Sequence, residues 1–224
     1  MPTSTSTPTS SFPQTAYNRT FGEAKDELAQ YSGGAARSDI LVRAGSSYLS
    51  AVREFNDIPW KFNRMVDDIT LVAGTADYTL ENDFRDPMRA IMVDSDSKTR
   101  EEVMWVPYQE WVYHLPDQST TGSMPLYYTI RNAHLTGLVT VDPVPATGIT
   151  YPTLRVHYHR RIALPVADSE KVNVPVEVDE AIFSRAVALF LAKVRNHKEA
   201  GEANVEAAIR RARVENEHRD WEDF

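Results

Sequence analysis

The chain has 224 residues, 42% hydrophobic and 10% aromatic, which is enough to bury one ordinary core or two small ones and excludes a disordered chain or a long repeat array. It has no cysteine, and so no disulfide framework, thiol nucleophile or thiolate metal site. A formal charge of −8 disfavours a broad basic face that grips nucleic acid, and no apolar run approaches the roughly 20 residues that span a bilayer. With neither a basic n-region nor an apolar h-region at the N-terminus, the reading is a soluble protein made in the cytoplasm and not exported by a signal peptide.

Residues 1–18 are rich in Ser, Thr and Pro, with Phe12 the one sizeable apolar side chain between residues 2 and 15. Such a segment buries too little to offset its ordering entropy, so it is expected to be a flexible arm that only a partner orders. Helix begins at Thr20-Phe21-Gly22-Glu23, the S/T-x-x-E capping box, and Phe21, Ala24, Leu28 and Tyr31 recur on one face until Gly33-Gly34. A second helix runs from about Ser38, with Leu41, Ala44, Tyr48, Val52 and Phe55 as its stripe and Pro59 as its stop.

From residue 59 to 174 the period changes to two. Leu154, Val156 and Tyr158 alternate with Arg155, His157 and His159, and Leu126, Tyr128 and Ile130 with Tyr127, Thr129 and Arg131. Two strands flank the turn Ala73-Gly74-Thr75, and one short helix interrupts the region, with Pro107 in its first turn and Tyr108, Trp111, Val112 and Leu115 on one face. After Pro175, Ile182, Phe183, Ala186, Leu189 and Phe190 mark a buried helix. The last helix carries Val205, Ala208, Ile209 and Ala212 on a narrow face expected to pack inward, with Glu206 and Arg210 as an i,i+4 pair. The fold class expected is α+β: a helical bundle from residues 19–58 and 175–224, with an antiparallel β domain, 59–174, inserted between its halves.

The sequence-local catalytic signatures are absent: no phosphate loop, no GxGxxG after a strand, no GxSxG elbow and no HExxH. His157 and His159, two apart on a strand, could share a metal, but Arg155 and Arg161 on the same face oppose it, and no metal or cofactor is expected. The alternative for these residues is a polar strand face that meets carboxylates of a neighbouring subunit. The adjacent acids Asp67-Asp68 and Glu101-Glu102 point to opposite faces of a strand and form no dyad by themselves. Trp221 and Phe224 stand on an acidic tail, either capping the last helix or anchoring in a partner's pocket.

Several segments in order resemble the head-to-tail adaptor (connector) proteins of tailed bacteriophages, the tail tubular protein A type among them. They are Trp60 with Phe62, the hairpin LVAGTADYTLENDF at 71–84, the Trp111 helix followed by Gly122 and Pro125-Leu126-Tyr127-Tyr128, and Leu138 to Pro145 leading into the strand Leu154 to Arg161. The family pattern often has Pro where this chain has Glu81 and Ile162. The resemblance implies a structural protein without catalysis: a homo-oligomeric ring, a dodecamer, in the virion neck beneath the portal protein. Tail nozzle or tail tube proteins dock below, and DNA passes through without specific binding. Partner-binding candidates are Trp221, Phe224, Phe12, His157, His159 and Arg161. Rival readings are a small hydrolase or nuclease with a site dispersed in sequence, and a module binding carbohydrate through Trp105, Trp111 and Tyr127.

Overall fold

The computed structural model describes residues 5–6, 18–32, 37–80, 83–96, 98–114, 120–131, 137–194 and 197–219. In chain order the elements are β1 (Thr5–Ser6), α1 (Phe21–Gln30), α2 (Ser38–Phe55), β2 (Arg64–Thr70), β3 (Asp77–Thr79), β4 (Phe84–Val93), β5 (Thr99–Trp105) and α3 (Tyr108–His114). They continue with β6 (Thr121–Gly122), β7 (Tyr127–Arg131), β8 (Leu138–Asp142), β9 (Val144–Pro145), β10 (Thr153–Arg160), α4 (Val176–Lys193) and α5 (His197–His218). The fold is mixed α+β, and the chain divides into two compact units. The β unit is formed by Arg64–Arg161 with β1, and the helical unit by the described residues from Asn18 to Asn63 and from Ile162 onward.

In the helical unit the capping box is present: the Glu23 N–H donates to Thr20 Oγ1 at 3.2 Å, and the Thr20 N–H to Glu23 Oε2 at 2.7 Å. Together they satisfy two of the backbone donors that a helix start leaves open. Tyr48, Ala51, Val52 and Phe55 of α2 and Val178, Ile182, Ala186 and Phe190 of α4 supply the core, while Tyr31, expected on the buried face of α1, is exposed. Trp60 is fully buried, donates its indole N–H to the Phe55 carbonyl at 2.7 Å, and lies stacked between Phe55 and Phe62. Trp60 and Phe62 therefore belong to the helical core, although the change of period after Pro59 puts them in the β region.

The returning segment after β10 belongs there too. Asn56 exchanges two hydrogen bonds with the Ile162 backbone, at 2.6 and 3.1 Å. Val172 and Val174 are core residues, and both their carbonyls accept from the Asn18 side chain. Asn18 is thus a buried part of this unit, not the end of an arm.

The β unit is one sheet in the order β1-β2-β10-β4-β5-β7-β8-β3, beside a small pair, β6-β9. Its register places Leu154, Val156 and Tyr158 of β10 opposite Ile69, Asp67 and Met65 of β2, all on the buried face, while Arg155 and Asp68 meet on the other. The sheet departs from the wholly antiparallel arrangement expected: β5 pairs with β7 in parallel at Met104–Trp105 and Tyr127–Tyr128. The segment carrying α3 lies between these strands, and a parallel pair needs such a crossover where a tight turn would not suffice. Within the stretch read as a flexible arm, Thr5 and Ser6 pair antiparallel with Asp68 and Asp67 at the β2 edge.

Candidate interaction surfaces

Strand β10 carries the charged candidates. Arg155 donates two parallel hydrogen bonds to Asp68, at 2.7 and 2.8 Å, a bidentate pair across the β2–β10 ladder. His157 is half-buried beside it, and burial, followed by the charges of Arg89 and Arg155, holds its imidazole below the ordinary value of 6.5. It stays neutral at physiological pH. His159 is only 3% exposed and offers no surface to a partner. The Arg161 backbone N–H bonds the Asp83 carbonyl at 2.7 Å, and its partly exposed side chain lies just past the strand end. Among the described residues no group of three or more His, Asp and Glu could hold a metal. Asp67 is buried on the inner face while Asp68 faces outward, as the alternation of a strand requires.

A second surface lies where β5, β7 and α3 come together. Met104, Trp105, Tyr108, Val112, Tyr113 and Leu126 are all exposed, the first two at 62% and 47%. Of α3 only Trp111 is buried among the described side chains, so Tyr108 and Val112 do not share its inward face as the helical spacing suggests. A cleft of about 330 Å³ runs alongside, lined by Met88, Arg89, Glu102 and Trp105. Trp and Tyr with Met and Arg is the composition that distinguishes the buried centres of protein interfaces. With Trp111 in the core and Tyr127 half-buried, the three-ring carbohydrate platform is not assembled.

In the helical unit α5 is rotated from the orientation its sequence suggests. Ala200, Ala207 and Val214 face the core, and the stripe expected to pack inward points out, with Val205 63% and Ile209 66% exposed. Arg213 borders that stripe and is paired along the helix with Glu217 at 3.4 Å. On another side of α5, a groove of about 550 Å³ opens between α1, α4 and α5, lined by the apolar Phe183, Val187 and Leu191 and by the ion pairs Arg19–Glu27 and Arg210–Glu206, at 3.0 and 2.8 Å. Phe12, Trp221 and Phe224 lie outside the described residues.

The model of the SU10 adaptor protein family matches residues 19–222, and so runs through both units. The chain belongs to the SU10 adaptor protein family. A comparison with curated proteins found no match. The SU10 adaptors are a bacteriophage adaptor family, so the role is structural and not enzymatic. This is broader than the tail tubular protein A type, which the match does not single out. It begins at Arg19, after the Ser/Thr/Pro stretch, and includes Trp221 but not Phe224. No described helix of this SU10 adaptor is long and apolar enough to cross a membrane.

Proposed function

We propose that this chain is the head-to-tail adaptor of a tailed bacteriophage virion, closing into a ring between the portal and the tail with DNA passing through its centre. The observation that carries the reading is the family match over residues 19–222, which takes in both the helical and the β unit. Supporting it, each unit has an exposed apolar surface of its own, and a ring needs two different patches on every subunit, one for each neighbour. The charge of −8 suits a channel wall, since repulsion keeps passing DNA from adhering.

In this reading twelve copies form the ring, the portal protein sits above and the tail nozzle or tail tube below. Trp221 and Phe224 anchor the acidic C-terminal tail in the portal, with Phe12 in the N-terminal arm as the next candidate; His157 and Arg161 lie on a face turned to a neighbouring subunit. The test is complementation. Phage deprived of the chain should accumulate DNA-filled heads without tails, and purified chain should restore tail joining; tailed, infectious particles made in its absence overturn the reading. Chain cut before Asp220, or carrying Trp221→Ala and Phe224→Ala, should fold as the intact chain does and attach to portal-bearing heads more weakly, by about 2 kcal/mol for each aromatic anchor lost. Attachment as tight as that of the intact chain would move the docking role elsewhere.

A further inference from the structure

We infer that the N-terminal strand is exchanged between copies: β1 of one copy adds to the edge of β2 in the next, so that the arms link the ring subunit to subunit. The inference rests on the ring reading and names its link. On its outer side β2 is paired with β1 at Asp68 and Asp67, two of its seven residues. A strand edge left uncovered is a template for another chain, and a protein that carries one has to manage it. The arm suits that edge. Thr3, Thr5, Thr7 and Thr9 alternate with Ser4, Ser6, Pro8 and Ser10, so β-branched residues recur at the period of a strand, and no charged side chain precedes Arg19.

Main-chain hydrogen bonds hold an added strand, and they are the same whichever copy supplies it. Within one copy the pairing closes a loop for two residues of ladder, and the arm has too few apolar groups to add to that hold. Between copies the same bonds also join subunits. The eleven residues 7–17 separate Ser6 from Asn18, whose side chain is anchored on the Val172 and Val174 carbonyls of the helical unit. Eleven residues reach at most about 36–40 Å, enough to cross a domain of about 100 residues, roughly 34 Å wide, and so to bring the edge of an adjacent copy within range. In a closed ring each copy gives one arm and receives one, so no edge loses its strand and every interface gains a link. The family match begins at Arg19, so this link is an addition to the shared fold.

The chain has no cysteine, and introduced thiols therefore report on this contact without background. The test takes the full chain with Thr5→Cys and Asp68→Cys, which oppose each other in the β1–β2 register, establishes its assembly by native mass spectrometry and then oxidises it. Opposed residues of an antiparallel pair have Cβ atoms about 4.5–5.5 Å apart, near enough for the thiols to join. Exchange predicts a reducible ladder of linked chains, dimer and above, on a denaturing gel. A second variant lacks residues 1–10 and leaves Asp68 and its pair with Arg155 in place. It should keep its circular dichroism and associate more than about tenfold more weakly than the wild type. In an assembled ring, disulfides confined to single chains, no disulfide at all, or a deletion that assembles like the wild type overturns the exchange and leaves the ring reading standing. A wild-type chain that stays monomeric at every concentration removes the ring and the exchange with it.

Discussion

Asp179 is buried in the helical unit, where the Tyr48 hydroxyl donates to one of its oxygens at 3.1 Å and Arg19 pairs with the other at 3.3 Å. Burial pushes its carboxyl above the ordinary range, and the bonds from Arg19 and Tyr48 partly hold it back. Tyr48→Phe removes one donor from a buried acceptor, so it should destabilise the chain by about 1–3 kcal/mol in urea unfolding; an unchanged midpoint would show that Asp179 finds another donor. None of this was legible in the sequence. Asp179 reads there as a helix N-terminal acid, and nothing local points to a tyrosine 131 residues away. His157 was more legible, since strand alternation places it with Arg155 on one face. Its folded pKa lies below 6.5, so as pH falls the unfolded chain takes up the proton first. The stability His157 contributes is full above that unfolded value and is lost as pH drops through it toward the folded value. Urea midpoints at pH 7.5 and pH 5.5 should therefore differ less in His157→Gln than in the wild type; equal differences would contradict the assignment.

At the scale of elements, α5 shows why a period can be right and a face wrong. The helix carries two apolar stripes, Ala200-Ala203-Ala207-Val214 and Val205-Ala208-Ile209-Ala212, and hydrophobicity alone favours the second, which holds the larger side chains. The structure turns the first inward, with Ala200, Ala207 and Val214 buried and Ala203 partly so, and its alanines permit close packing on α4. Two substitutions separate the orientations. Val214→Ala removes two buried methyl groups and should cost about 1–2.5 kcal/mol in the isolated chain, while Ile209→Ala should stay within about 0.5 kcal/mol. The reverse order would restore the inward stripe. The capping box of α1 was fully legible because its four residues are contiguous and each satisfies a backbone donor of the other. The parallel β5–β7 pair was not, since the alternation of a strand carries no sign of its neighbour's direction.

Across the whole molecule, the α+β class was legible because two periods, helical at both ends and two in the middle, each persist long enough to count. The limits of the units were less so. Trp60, Phe62, Val172 and Val174 fall at the two ends of the stretch read as β, and what assigns them to the helical core is indole stacking and the side-chain bonds of Asn18 and Asn56 across the sequence. Of the interaction candidates, His157 was found by alternation, whereas the outward stripe of α5 and the groove beside it emerge only once helices are packed. Phage adaptor family membership rests on the 19–222 match; the ring, the portal and the channel are the account built on it. An asymmetric reconstruction of the virion neck tests that account most directly. It should show copies of this chain in a closed ring between portal and tail, around the path of the DNA. A neck whose density is fully accounted for by other proteins, with this chain absent or placed elsewhere in the particle, would contradict it.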